Sequence, residues 1–171
     1  GDLGCHGNPV IQTPNLDAFH ADSVRLTNYH VGPTCAPTRS GIMTGHFANS
    51  PGVWHTIGGR SLLRRDEWSL AAALSENGYR TGIFGKWHLG SDPQFYPTRR
   101  GFDEFFGFLA GETNYVDPAT PGIVTTPTKE DKYEIGPRTG NHAMVEGPDA
   151  RPADDFSRYL TNQITDRAVD F

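Results

Sequence analysis

The chain has 171 residues, of which 20 are acidic and 15 basic, giving a net charge of −5. That length suits one ordinary domain with its own core. The acidic balance leaves no basic footprint for nucleic acid, and no apolar run approaches the roughly 18 residues that a membrane-spanning helix needs.

The first residues, Gly1-Asp2-Leu3-Gly4-Cys5, begin without a methionine, which reads as a cut chain. Asp2 is expected to be a solvated or turn-capping acid in a glycine-rich loop. The two cysteines, Cys5 and Cys35, carry neither a C-x-x-C pair nor an H-x-x-x-H partner, so the usual zinc spacings are missing. A Cys5–Cys35 disulfide is the bland alternative. Thr13-Pro14-Asn15 predicts a helix start, with Thr13 as N-cap and Pro14 at the first position, running to about Asp22. From Ser23 to Val31 polar and apolar side chains alternate, which predicts a strand. His30 near its end reads as structural.

Gly32-Pro33-Thr34 breaks the strand and leads into Cys35-Ala36-Pro37-Thr38-Arg39, closed by Thr44-Gly45. Pro37 suits a first helical turn, where its missing N–H would have no partner. If that turn reaches back to Cys35, Cys35 and Arg39 share a face at i, i+4. A nucleophile at a helix N-terminus meets the positive end of the macrodipole, where an oxyanion is stabilised. Residues 46–65 are glycine- and proline-rich and read as a loop. His46, His55 and Arg60 are its candidates for reaching a substrate, though surface packing is the simpler role of each.

Asp66 to Asn77 predicts a helix capped at Asp66 or a neighbour, with Trp68, Ala71, Ala72 and Leu74 on its apolar face and Gly78 after its end. Tyr79 to Gly85 predicts a short strand, so the pattern is α/β with a parallel sheet and crossover helices. Lys86 and His88 follow; in an extended segment they face one side and Trp87 the other. The aromatic cluster in residues 97–107 reads as core. Residues 111–155 show little apolar periodicity and read as a long functional loop or insertion. Within it His142 is a tempting general acid that nothing in the loop singles out. Residues 155–171 place Phe156, Tyr159, Leu160, Ile164, Ala168 and Phe171 at three- and four-residue steps, the pattern of an amphipathic helix.

Cys35-Ala36-Pro37-Thr38-Arg39 with Thr44-Gly45 resembles the C-x-P-x-R…T-G signature of the formylglycine-dependent sulfatases. Gly78-Tyr79-Arg80-Thr81-Gly82-Ile83-Phe84-Gly85-Lys86-Trp87-His88-Leu89-Gly90 resembles a second signature of that family, and Arg100-Gly101-Phe102-Asp103-Glu104-Phe105-Phe106-Gly107 a third. The resemblance implies the N-terminal portion of an alkaline-phosphatase-like sandwich, a mostly parallel central sheet flanked by helices, with residues 1–171 forming a partial catalytic domain truncated at both ends. It implies hydrolysis of sulfate esters by a formylglycine made from Cys35, with one calcium ion. That ion would contact position 35, while its main carboxylate ligands, an Asp-Asp pair and later residues, would lie outside this chain.

In the same resemblance Arg39 steadies the nucleophile, Lys86 holds a sulfate oxygen and His88 acts as base, with His55 and Arg60 as further substrate-binding candidates. The implied partners are a sulfated small molecule or glycan and a formylglycine-generating or sulfatase-maturing enzyme. The implied setting is an exported one: periplasmic, extracellular or lysosome-like. The isolated 171-residue chain is expected to bind calcium weakly and to be inactive. Two alternatives stay open. One is a phosphonate or phosphate monoester hydrolase of the same superfamily; the other is a non-catalytic anion- or glycan-binding module with an unmodified Cys35.

Overall fold

A computed structural model describes residues 1–57, 59–117, 120–124, 143–153 and 157–171. The chain forms two compact units, Gly1–Val31 and Gly32–Phe171.

In the first unit a 3₁₀ turn, Gly4–His6, precedes helix α1, Pro14–Ala21. Pro14 takes the first helical position, where its fixed φ is already suitable. Thr13 does not cap the helix through its side chain. Its hydroxyl is committed to the preceding loop instead: Thr13 Oγ1 accepts the Gly4 N–H and donates to Asp17 Oδ1, both at 2.8 Å. Asp2 is exposed, as expected. The strand expected at 23–31 does not form; the stretch is turn and irregular backbone with every side chain exposed. Alternation says which faces a strand would have, but its N–H and C=O groups need a neighbouring strand, which alternation does not supply.

The second unit holds helices α2 (Cys35–Thr44) and α3 (Leu70–Glu76), strands β1 (Gly82–Lys86) and β2 (Glu104–Phe108), two-residue strands β3 (Val145–Glu146) and β4 (Arg151–Pro152), and helix α4 (Leu160–Asp170). The sheet order is β1-β2-β3-β4. β1 and β2 run parallel, with Gly82 opposite Glu104 and Lys86 opposite Phe108, while the other two pairs are antiparallel. The α/β class with flanking helices holds, and the described sheet is mixed. β3 and β4 arise inside the segment read as loop; residues 118–119, 125–142 and 154–156, and with them His142 and Phe156, lie outside the described residues.

Helix α3 is shorter than its pattern. Ser69, not Asp66, caps it, its Oγ accepting the Ala72 N–H at 3.0 Å, while Asp66 pairs with Arg64 at 2.7 Å. Trp68 accordingly stays outside the helix and exposed. The core has two parts that meet at β2. Phe105 joins Val53, Leu63, Trp87 and Leu89 in one cluster; Phe106 and Phe108 join Met144 and Leu160 in the other. Residues 106 and 108 share a face by the period of two, and Phe105 takes the opposite one, so β2 is buried on both sides. Each large apolar side chain removed from water there contributes about 1.5–3 kcal/mol. α4 covers the second cluster with Leu160 and Ile164.

Candidate functional site

Helix α2 does begin at Cys35. Thr34 is extended and supplies no side-chain cap, and Gly45 ends the helix in the left-handed region with its N–H on the Gly41 carbonyl. The thiol therefore stands at the positive end of a ten-residue helix. Cys35 and Cys5 are both free thiols.

Arg39, one turn along, reaches to the carboxyl end of β1. Its Nε donates to the Trp87 carbonyl at 2.6 Å and its Nη2 to the Lys86 carbonyl. Burial pushes the guanidinium pKa down, and the neighbouring Cys35 side chain opposes that shift; a guanidinium nonetheless stays charged in a protein. Arg39 thus braces α2 against the strand end that presents Lys86 and His88, and its fork is largely committed to backbone.

His88 lies beyond the last residue of β1 with φ 57°, so strand alternation does not set its direction. Its N–H extends the ladder to the Leu109 carbonyl at 3.1 Å. The ring bridges two parts of the site: Nδ1 lies 3.3 Å from Cys35 Sγ and Nε2 lies 3.0 Å from the Thr56 carbonyl. A carbonyl only accepts, so Nε2 carries the hydrogen and Nδ1 presents its lone pair to position 35. Burial pushes the His88 pKa below the ordinary 6.5, the Thr56 hydrogen bond opposes this, and the charges of Lys86 and Arg39 add to the lowering.

Two neighbouring clefts share Gly111. Lys86 lines one of about 450 Å³ with Glu112, Thr113 and Tyr115; His88 lines one of about 340 Å³ with Thr56, Ser61 and Asp92. A Cβ at Gly111 would come 2.8 Å from His88 Cε1, so only glycine lets the ring lie there. Thr56 and Gly111 escaped the sequence reading: the first acts through a backbone carbonyl and the second through having no side chain, and neither leaves a residue-type signal.

The remaining candidates fall elsewhere. His46 pairs with Glu67 at 3.0 Å. His55 Nδ1 accepts the Ile57 N–H at 3.2 Å, and Arg60 stacks 4.8 Å over the exposed Trp54 ring. His55 and Trp54 nevertheless ride on the loop whose Thr56 touches His88. Among the described residues, the Cys35 thiol is met by the His88 imidazole, with the Arg39 guanidinium beside it. That donor set does not fit calcium, which takes roughly six to eight oxygens.

The family model described as Sulfatase matches residues 1–171. Arylsulfatase D of Homo sapiens is 37% identical over 136 residues, covering 71% of this chain and 23% of its own length. Arylsulfatase J of Mus musculus is 43% identical over 122 residues, covering 67% and 20%. Among solved structures, Ps i-CgsB in complex with k-i-k-neocarrahexaose superposes with a TM-score of 0.79 at 29% identity, covering 99% of this chain and 38% of that one. BT4656 in complex with its substrate D-glucosamine-2-N,6-O-disulfate gives 0.65 at 28%, covering 98% and 27%. The chain spans about a fifth of the length of these curated relatives.

Proposed function

The chain belongs to the sulfatase family, and from that membership we propose that the protein it represents hydrolyses sulfate esters at Cys35 after oxidation of that residue to formylglycine. The observation that carries the reading is the contact of 3.3 Å between position 35 and a His88 nitrogen whose partner nitrogen is fixed on a carbonyl. The hydrated aldehyde supplies two hydroxyls, one to attack sulfur and one to release sulfate, which a serine does not have.

This chain's own residues would serve that chemistry as follows. The positive end of α2 favours the anionic form of the group at position 35. His88, whose pKa burial lowers, presents the Nδ1 lone pair and takes a proton from a hydroxyl there, within the reach that general-base catalysis requires. Lys86 provides an ammonium for a sulfuryl oxygen, compact and mobile on its stem. Arg39 holds the end of β1 against α2, so its role is to position Lys86 and His88. Calcium, if bound, would take its oxygen ligands from outside the described residues and supply a positive charge for the sulfuryl oxygens. The two solved relatives named above are complexes with a neocarrahexaose and with D-glucosamine-2-N,6-O-disulfate, which supports a sulfated glycan as substrate class; an exported setting is proposed from the family membership alone. His55 and Arg60 stay substrate-binding proposals, carried by the loop that reaches His88.

The test is made on the full-length protein co-produced with a sulfatase-maturing enzyme. Mass spectrometry of the peptide containing Cys35 should find the aldehyde, and an aryl sulfate should turn over faster than the matching aryl phosphate. A retained thiol in a protein that turns nothing over would sink the catalytic reading, and a preference for phosphate would move it to monoester phosphate hydrolysis.

A further inference from the structure

The first unit holds a donor cluster of different chemistry from the site at Cys35. Cys5, His6 and His20 each offer one ligand atom, and these atoms all lie within 4.8 Å of one another. Local structure brings them together. Cys5 and His6 are consecutive in the Gly4–His6 turn, and His20 follows Asp17 at i+3 on α1, hence on the same helix face. Asp17 Oδ1 accepts the Cys5 N–H at 2.7 Å and the Thr13 hydroxyl at 2.8 Å, and that hydroxyl accepts the Gly4 N–H. One carboxylate therefore pins the turn that carries two donors to the helix that carries the third. The rings of His6 and His20 meet edge to face with centroids 5.9 Å apart.

A second observation points the same way. His20 Nε2 is shielded from solvent and has no hydrogen-bond partner. A buried polar nitrogen left without one calls for an explanation, and an ion is among the ordinary ones.

We infer that Cys5, His6 and His20 form a binding site for a zinc-class divalent cation. One thiolate and two imidazoles make a borderline-soft set that suits Zn²⁺, whereas calcium prefers oxygen. Zn–S and Zn–N bonds of about 2.3 and 2.0–2.1 Å set ligand atoms roughly 3.3–3.6 Å apart. Ligand atoms within 4.8 Å of one another need to close by at most about 1.5 Å, and His6 is exposed at the surface. Three protein ligands leave the fourth tetrahedral corner to water. On binding, Cys5 releases its thiol proton to solvent, and both imidazoles bind through a neutral nitrogen's lone pair. The spacing 5, 6, 20 matches no common zinc pattern, so the geometry alone reveals it.

The experiment uses the full-length protein carrying Cys35→Ala, so that position 35 contributes no thiolate. Titration with Co²⁺ should give a thiolate-to-cobalt charge-transfer band and the intense visible bands of four-coordination. Competition with a chromophoric chelator should find one Zn²⁺ bound. Adding Cys5→Ser should abolish the charge-transfer band. Adding His6→Ala or His20→Gln should weaken Zn²⁺ by at least about 100-fold, beyond what loss of an outer-shell partner costs. His6 is exposed, so His6→Ala decides the question if the Cys5 or His20 variants do not fold. No charge-transfer band in the parent, a band that survives Cys5→Ser, or unchanged Zn²⁺ affinity in His6→Ala would each overturn the site.

Discussion

Burial, aided by the charges of Lys86 and Arg39, favours the neutral form of His88 against the opposing Thr56 hydrogen bond, and that bond to Nε2 leaves Nδ1 facing position 35. Two consequences follow at this residue. As a base its working range extends lower than that of a free imidazole, so the acid limb of kcat/KM of the matured protein should have its midpoint below 6.5. His88→Ala should lower kcat by about 10²–10⁴. The same depression governs stability. A base whose folded pKa is lowered stabilises fully above its unfolded value of about 6.5, and that contribution is lost as pH falls through the folded value. Thermal melts between neutral and mildly acid pH should therefore show a loss that His88→Asn reduces; identical pH dependence in the variant would count against it. Arg39→Lys removes the planar fork that satisfies the Trp87 and Lys86 carbonyls. It should cost about 1–3 kcal/mol in urea unfolding, the penalty of buried acceptors left unpaired. At this scale Cys35, Lys86 and His88 could be picked out because their side chains carry reactive or charged groups. Thr56 and Gly111 were not, since one contributes a carbonyl and the other an absence.

Among the elements, the β1–β2 pair fixes where Lys86 ends and His88 begins, and its tightest point is the register partners Gly85 and Gly107. A Cβ at residue 107 would sit 1.8 Å from the Gly85 carbonyl oxygen, a contact that only separation of the two strands relieves. Gly107→Ala should destabilise by about 3 kcal/mol or more, at or above the upper end of ordinary overpacking. At Gly122 nothing lies within 4 Å and only the positive φ opposes a side chain, so Gly122→Ala should cost no more than about 1–2 kcal/mol. Denaturant midpoints of the two variants compare these, and equal losses would mean that the strands yield freely. Helices were legible where the signal was local, as with Pro14 opening α1 and Leu160 and Ile164 on the core side of α4, although α4 begins only at Leu160 and leaves Tyr159, Ala168 and Phe171 exposed. The cap of α3 was misplaced because Asp66 finds Arg64 as a partner and Ser69 reaches the Ala72 N–H. Residues 23–31 failed as a strand because alternation carries no information about a pairing partner.

For the whole molecule, burial is uneven. Phe47 is 94% exposed, Val24 90%, Val10 81% and Phe19 72%, while Trp87 and Leu63 are completely buried. Single apolar side chains at a surface are ordinary, but many large ones on one small chain mark surfaces that another part of a protein or a partner covers. The sequence, read as one domain, did not disclose this: its composition is that of a chain able to bury a core, and composition does not say which side chains are covered. The described structure resolves two units, and the chain spans about a fifth of the length of its curated relatives. The isolated 171-residue chain should therefore bind an environment-sensitive hydrophobic dye strongly, and the full-length protein should bind several-fold less per mole. Phe47→Ser should lower the dye signal of the isolated chain and leave that of the full-length protein unchanged. Equal dye binding by both forms would instead show that these side chains remain at the surface of the whole protein, where they would have to serve as contacts with something else.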